Sequence, residues 1–291
     1  MQINQKITIL NHEINYHYRK GSGDSVICFL HGYPTSAQEY IEVMKLIPEK
    51  YSVIAHDHLG YGRSDKPLND DYLFGKQADI SLALYELLDI KNIHLVAHDY
   101  GTSVATEIVA KDNESQLNIN LESITLCNGS MLIDMAELRI IQRLLKNKIF
   151  GPIVAQLSTA KTFHRNMKNI WFDKSKYDRE AMHIHWELLI SNKGKYVLPK
   201  ITRYINQRYD NYNRWIGALK ESKLSFHILW AANDPVAVVE MAHRLDQIIS
   251  DSTLTIIDNC GHYPMIEERV QWTNQLIKNI TKVQKSKTKA I

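Results

Sequence analysis

The chain has 291 residues, 44% of them hydrophobic, which is enough to bury a substantial core and to form an enzyme. Its 35 Lys and Arg against 32 Asp and Glu give a formal charge of +3, so the overall balance does not indicate nucleic-acid binding. The three cysteines have neither the spacing of a disulfide framework nor that of a metal site. The N-terminus shows no export signal, and no apolar run approaches the length of a membrane span. We therefore expect a cytoplasmic protein.

Short apolar runs alternate with helical patterns along most of the chain. The predicted strands cover residues 14–18, 25–30, 51–55, 93–96, 121–127, 225–230 and 253–257. The predicted helices that accompany them cover residues 38–47, 77–88, 102–110 and 268–280. The run at 14–18 alternates as an edge strand does, whereas the run at 25–30 is continuously apolar, as in a strand buried on both faces. This rhythm predicts βαβ units and a mostly parallel sheet covered by helices on both faces.

The sequence His31-Gly32-Tyr33-Pro34 directly follows the strand predicted at 25–30. Glycine allows the backbone to approach a ligand closely, and proline restricts the bend. The amide of Tyr33 could therefore point into a site. The alternative is an ordinary loop between a strand and a helix.

Residues 96–101, with the sequence VAHDYG, lie between the strand at 93–96 and the helix at 102–110. A strand, a tight turn of small residues and a helix form a nucleophile elbow, in which a sharp bend exposes one side chain. Asp99 occupies that position, and Gly101 allows the two backbones to approach. Aspartate is also a preferred N-cap, so the alternative is that Asp99 only begins the helix. Because no serine has the flanking glycines of such an elbow, a nucleophile here would be a carboxylate.

The alternation stops after residue 130. From 131 to 221 the patterns are helical without a convincing buried strand, which predicts a helical cap inserted into a core of residues 1–130 and 222–291. The cap has 17 Lys and Arg against 8 Asp and Glu, or 17 − 8 = +9, and the core has 18 − 24 = −6. A positive cap would attract an anionic substrate or membrane surface. The alternative, which we prefer, is a solvated face of lysines.

Two titratable residues follow the last predicted strands. Asp234 comes just after the strand at 225–230, and His262 lies on the loop after the strand at 253–257. Because the carboxyl ends of parallel strands share one edge of a sheet, Asp99, Asp234 and His262 are expected to meet there. Their order along the chain is nucleophile, acid and histidine.

With these motifs the sequence resembles the α/β-hydrolase superfamily, in particular the branch with an aspartate nucleophile that includes haloalkane dehalogenases and epoxide hydrolases. The matching segments are 31–34, 57–67, 98–101, Asp234 and 261–262. Three further segments, 126–129, 204–208 and 214–219, are similar to the mesoderm-specific transcript family, whose activity is poorly defined. The resemblance spans residues 14–280 and implies an α/β-hydrolase fold with an inserted helical lid.

The resemblance implies a role for each residue at the sheet edge. Asp99 would attack an electrophilic carbon and form an ester with the substrate. His262 would activate the water that cleaves this ester, and Asp234 would orient His262. The amides of Tyr33 and Tyr100 would form the oxyanion hole. No cofactor and no metal is implied.

Departures from the family pattern leave the substrate open. Dehalogenases stabilise the leaving halide with an asparagine and a tryptophan at the positions of Tyr33 and Tyr100. Epoxide hydrolases use two lid tyrosines, and Tyr212 lies near the second, although Asn213 is in strict register. Asp134 occupies the place from which some relatives supply the acid, and we prefer Asp234.

We therefore predict a hydrolase that acts on a small apolar electrophile of the epoxide or haloalkane class. We expect His31, Tyr204, Tyr212 and Trp215 to bind the substrate, although the aromatic residues could equally form the core of the cap. Two other functions stay open: hydrolysis or transfer of an ester or lipid acyl group, and ligand binding without catalysis. A small-molecule substrate is the expected partner, a nucleic acid is not, and a membrane surface is not favoured.

Overall fold

The computed structural model describes residues 1–136 and 138–290, and for residues 287–290 it describes the backbone alone. The strands are β1 (Gln2–Ile9), β2 (His12–Arg19), β3 (Ser25–Leu30), β4 (Ser52–His56), β5 (Asn92–His98), β6 (Asn120–Cys127), β7 (Phe226–Ala231) and β8 (Ser252–Ile257). The helices are α1 (Ile41–Leu46), α2 (Phe74–Leu87), α3 (Tyr100–Asn113), α4 (Ile140–Leu145), α5 (Phe150–Leu157), α6 (Ala160–Lys168), α7 (Arg179–Ile190), α8 (Gly194–Thr202), α9 (Tyr204–Asp210), α10 (Tyr212–Glu221), α11 (Val239–Ile248), α12 (Pro264–Glu267) and α13 (Arg269–Ala290).

These eight strands form one sheet in the order β1-β2-β4-β3-β5-β6-β7-β8. β2 is antiparallel to both of its neighbours, and the pairs from β4 to β8 are all parallel. The strands predicted at 25–30, 51–55 and 225–230 became β3, β4 and β7, in which almost every residue is buried. The predicted mostly parallel sheet with helices is confirmed.

One edge of this sheet is β1, a strand that the sequence did not predict. The prediction that 14–18 is an edge strand is wrong, because β2 pairs with β1 on one side and with β4 on the other. Most residues of β1 are polar, and most are exposed. The strand therefore lacks the apolar run by which a buried strand is recognised in a sequence. Such a polar strand suits the edge, since it protects the sheet from pairing with other chains.

Helix α3 is buried along most of its length. Every residue from Tyr100 to Ala110 is buried, because the helix packs against β3, β5 and β6 and is covered by α2 and α10. α13 packs against β6, β7 and β8 and extends to Ala290, ten residues beyond its predicted end. Among the residues that the structure describes, no helix is long and apolar enough to cross a membrane.

Seven helices, α4 to α10, lie between β6 and β7, and the described residues of that segment contain no strand. Helix α10 attaches the segment to the core, since Asn113 of α3 donates a hydrogen bond to the carbonyl of Ala218 at 3.0 Å. Lys66 of the core donates to the carbonyl of Leu188 at 2.8 Å and makes a second attachment. The division into a core and a cap at residues 131–221 stays our interpretation of this arrangement.

Candidate active site

Asp99 lies at a sharp turn between the end of β5 and the start of α3. Its backbone has φ 41° and ψ −105°, a conformation that costs a non-glycine residue about 1–3 kcal/mol. Its carboxylate makes no capping hydrogen bond to α3, so the N-cap alternative is wrong. A Cβ atom at Gly101 would lie 2.3 Å from the carbonyl oxygen of Leu30, so only glycine allows α3 to approach β3 this closely. The turn has the elbow geometry that the sequence predicted.

The two carboxylate oxygens of Asp99 have different surroundings. The amide of Tyr33 donates a hydrogen bond to Oδ2 at 3.1 Å. Nη2 of Arg208 lies 3.5 Å from Oδ1, and both of these side chains are buried. The same Nη2 donates to the Asp99 carbonyl at 3.1 Å, and Nε donates to Oγ of Ser103 at 2.9 Å. A cation from α9 therefore neutralises the elbow carboxylate while leaving Oδ1 beyond hydrogen-bond distance.

The amides of Tyr33 and Tyr100 were predicted to form an oxyanion hole, and the structure places the Tyr33 amide at the carboxylate of Asp99. The loop that carries Tyr33 approaches the elbow closely, since a Cβ atom at Gly32 would lie 2.7 Å from Nδ1 of His98. Tyr100 is the first residue of α3, and the first amides of a helix have no partner within it. The Tyr33 amide contacts the carboxylate of Asp99 as expected from the sequence.

His262 lies between the two aspartates. Its Nδ1 donates to Oδ2 of Asp234 at 2.7 Å, and its Nε2 lies 4.0 Å from Oδ2 of Asp99. Asp234 is itself held in place: Asn128 donates to its Oδ2 at 2.8 Å, and the amide of Val236 donates to its Oδ1 at 2.7 Å. The sheet therefore brings together the three residues that the sequence placed at strand ends.

The pKa of His262 depends on two opposing effects. Burial favours the neutral imidazole and lowers the pKa. The negative charge of Asp234 and its hydrogen bond to the ring, followed by the charge of Asp99, act in the opposite direction and prevail. The net result is a pKa above the ordinary value of 6.5. The site therefore stabilises the imidazolium that forms when His262 accepts a proton.

A buried acid and histidine lie behind the elbow, and the sequence analysis did not predict them. Oε1 of Glu39 is 3.2 Å from Nδ1 of His98, and Thr35 donates to the other oxygen of Glu39 at 2.5 Å. Burial alone would raise the pKa of Glu39, but the charge and hydrogen bond of His98 hold it below its usual value. Nε2 of His98 donates to the carbonyl of His262 at 2.9 Å. This pair therefore connects the elbow strand to the histidine loop.

The cap also holds the histidine loop. The amide of His262 donates to the carbonyl of Ile170 at 2.9 Å. The carboxylate of Glu267 accepts the amides of Gly261 at 2.9 Å and Phe172 at 3.0 Å, and burial raises the pKa of Glu267 to about 7. Neither contact had a signal in the sequence, because each joins segments that are distant along the chain.

The structure corrects the predicted substrate contacts of His31 and Tyr204, because neither side chain lines the cavity beside Asp99. His31 is fully buried, and its Nε2 accepts the amide of His58 at 3.0 Å. Tyr204 is buried beneath the guanidinium of Arg208, and its hydroxyl accepts a hydrogen bond from Gln142 at 3.0 Å. Both residues are therefore buried in the protein interior next to the site and do not face the cavity.

The predicted contacts of Trp215 and Tyr212 are corrected in the same way, because both residues lie outside the cavity lining. Trp215 is buried against α3, where its Nε1 donates to Glu107 at 2.7 Å. Tyr212 interacts with Asp134, which is exposed. The acid that hydrogen-bonds to the histidine is therefore Asp234, and Asp134 does not occupy that position.

A cavity of about 850 Å³, including its opening, reaches Asp99 and His262. Most of its lining is apolar and comes from the cap, including Ile141, Leu145, Phe163, Met167, Ile170 and Trp186. Polar groups are few and include Arg139, Gln142 and Asn166. Within the described part of the chain, no group of three or more His, Cys, Asp or Glu side chains could hold a metal ion. The cavity suits a small, mainly apolar molecule whose reacting atom lies beside Asp99.

We expect the substitution Arg208→Met to destabilise the protein by about 3–5 kcal/mol, because it leaves the buried charge of Asp99 uncompensated. Urea unfolding measures this loss. In a double-mutant cycle with Asp99→Asn, the losses should fall well short of additive, since the neutral amide no longer needs the cation. The control is Arg203→Met, at a half-buried arginine on the same segment. Additive losses would contradict the pairing of Arg208 with Asp99.

The family model described as the α/β hydrolase fold matches residues 25–269. The chain belongs to the α/β-hydrolase fold family. The protein named "Putative hydrolase LipZ" of Mycobacterium tuberculosis is 30% identical over 250 residues, which are 86% of each chain. The mesoderm-specific transcript protein of Mus musculus is 28% identical over 256 residues, 86% of this chain and 76% of that protein. Family and relatives together support a hydrolase.

Among solved structures, this α/β hydrolase is similar to the haloalkane dehalogenase DatA from Agrobacterium tumefaciens C58, with a TM-score of 0.81. The match covers 96% of both chains at 14% identity, so it shows the fold alone. The predicted fold and the likeness to mesoderm-specific transcript proteins are confirmed.

Proposed function

We propose that this α/β hydrolase acts through a covalent ester on Asp99, with a small apolar epoxide or haloalkane as substrate. The observation that carries the proposal is the position of the Asp99 carboxylate, which leaves α3 uncapped and lies in the cavity beside Nε2 of His262. A carboxylate is a nucleophile without prior deprotonation, which suits a site where Nε2 is 4.0 Å from the nearest oxygen.

In the first step, Oδ1 of Asp99 attacks a carbon of the substrate. Oδ2 accepts the amide of Tyr33 and becomes the carbonyl oxygen of the ester. The bond from that carbon to its halogen or epoxide oxygen breaks, and the electron pair leaves with that atom. A halide departs as the anion, whereas an alkoxide takes up a proton from water.

In the second step, Nε2 of His262 takes a proton from water, and the oxygen of that water attacks the carboxyl carbon of the ester. The tetrahedral intermediate carries its negative charge on Oδ2, where the Tyr33 amide stabilises it. Asp234 stabilises the imidazolium during this step. Collapse breaks the bond to the alcohol product, which receives the proton from His262. Asp99 keeps the oxygen that came from water and releases the second proton of that water to solvent, which restores the carboxylate.

Two features support an epoxide or haloalkane as the electrophile. The lining of the cavity is mainly apolar, and the elbow has an aspartate in place of a serine. The structural relative named above is a haloalkane dehalogenase. Tyr33, at one of the two halide positions, lines the cavity, whereas Tyr100, at the other, and Tyr212, near one epoxide position, lie outside the lining. Any stabilisation of the leaving group therefore comes from residues that line the cavity.

The test is to trap the ester on the His262→Gln variant, which performs the first step and lacks the base for the second. The variant is incubated with epoxides, haloalkanes and short esters, and intact mass is measured. We expect an adduct of substrate mass that maps to the peptide containing Asp99. The control is the double variant Asp99→Ala/His262→Gln, which should remain unmodified.

A second experiment uses the unaltered protein. During single turnover in oxygen-18 water, label should enter the carboxylate of Asp99, because the attacking water provides one of its oxygens. Genuine turnover without label, or an adduct that maps to another residue, would refute the ester on Asp99. Turnover of esters alone under those conditions would favour acyl hydrolysis.

A further inference from the structure

The outer surface of the first cap helices is apolar and exposed. Six large apolar side chains of α4, α5 and the turn between them have 41% to 77% of their surface exposed. These residues, which we call the apolar cap face, are Ile140, Leu144, Ile149, Phe150, Ile153 and Leu157. The two on α4 are four positions apart, and the three on α5 are three and four positions apart, so each set occupies one side of its helix.

The opposite side of these helices packs against the rest of the protein. Gln142 and Leu145 of α4 are buried and line the cavity, and Gly151 and Ala155 of α5 are buried within the cap. The inner side of each helix therefore packs within the protein, and the apolar side chains of the outer side have no partner within the described chain. Large apolar side chains that stay exposed together on neighbouring helices indicate an interaction site.

Charge indicates which partner fits this face. Between residues 138 and 172 the sequence has no Asp or Glu and seven Lys or Arg. These basic residues, five exposed and two half-buried, are Arg139, Arg143, Lys146, Lys148, Lys161, Arg165 and Lys168. A second copy of the chain joined through the same face would oppose like charges, which disfavours a symmetric dimer.

We propose that the apolar cap face docks onto the surface of an anionic lipid membrane. Short helices with exposed large apolar residues and flanking lysines lie in the plane of a bilayer interface, where the apolar side chains enter the acyl boundary and the basic ones contact lipid phosphates. The solvated lysine face that we preferred from the sequence accounts for the charge and leaves the six exposed apolar side chains unexplained.

Docking in this orientation places the cavity near the lipid. Ile141 and Leu145 line the cavity from the inner side of α4, while Ile140 and Leu144 project from its outer side. An apolar molecule dissolved in the bilayer would thus have a short path to the site. The inference does not depend on the chemistry proposed for Asp99, since docking requires only the outer side of the cap.

The test is flotation of the full-length protein with vesicles of phosphatidylcholine containing about 30% phosphatidylserine, with phosphatidylcholine vesicles for comparison. We expect binding to the anionic vesicles that weakens when salt rises from about 50 mM to about 500 mM. Two variants should each weaken binding at least about tenfold: the apolar triple Ile149→Ser/Phe150→Ser/Ile153→Ser, and the double charge reversal Arg143→Glu/Lys148→Glu.

The matched control is Leu87→Ser/Val270→Ser, which removes two large apolar side chains that are 60% and 62% exposed on the core helices α2 and α13. This control should bind vesicles as the unaltered protein does. Far-ultraviolet circular dichroism and thermal melting verify that every variant is folded. Absence of flotation by the folded, unaltered protein would overturn the proposal. So would binding that the control weakens as much as the cap variants, or self-association through the cap face without vesicle binding.

Discussion

Replacement of Asp99 by alanine will reduce turnover by about 10⁵-fold, because the substitution removes the atom that forms the bond to the substrate. The rate is measured on whichever compound the trapping screen identifies. The control is Asp134→Ala, which removes an exposed aspartate that lies apart from His262 and should leave turnover unchanged.

The loss at Asp99 should not result from unfolding. Urea unfolding of Asp99→Ala separates the two effects, since a folded variant without turnover locates the defect in the chemical step. A folded Asp99→Ala variant that keeps a tenth or more of the activity would show that another group is the nucleophile, and the ester mechanism would have to be abandoned.

The second large effect is expected from Asp234→Asn, which should slow cleavage of the ester by about 10⁴-fold and change its pH dependence. His262 must be neutral to accept a proton from water, so the rate rises as pH rises through the pKa of His262. Asp234 raises that pKa. In the variant, burial still lowers the pKa of His262, and the charge of Asp234 no longer raises it. The midpoint of the pH profile therefore moves to lower pH.

The measurement is the rate of ester cleavage in single turnover from about pH 5 to about pH 9. The matched control is Asp258→Asn, at an exposed aspartate on the loop that leads to His262, and its profile should coincide with that of the unaltered protein. A slow Asp234→Asn variant with an unchanged midpoint would mean that Asp234 orients the ring without stabilising its charge.

Most of the fold and the central part of the site could be predicted from local patterns. Continuous apolar runs identified the buried strands, and the edge strand β1 was missed because its residues are mostly polar and exposed. Asp99, Asp234 and His262 could be expected to meet because each follows a parallel strand, and parallel strands end at one edge of the sheet. Their distances confirm this meeting, and their catalytic roles stay a prediction.

The surroundings of these three residues could not be predicted in the same way. Arg208 contacts the carbonyl of Asp99 from 109 positions away, and Glu39 contacts His98 from 59 positions away. The positions of the aromatic residues of the cap could not be predicted either. Trp215 was expected to contact the substrate, but it is buried against Glu107. A residue type at a given spacing does not show which side of its helix faces the cavity.

The alternation of strands and helices and the elbow turn could be inferred from the amino-acid sequence, because both depend on interactions between near neighbours along the chain. Three further features became visible only in the folded chain: the carboxylate of Asp99 leaves α3 uncapped, Arg208 neutralises it, and six apolar side chains of the cap stay exposed. The physical reason is that burial and pairing depend on how distant helices pack, and that packing is a property of the whole chain.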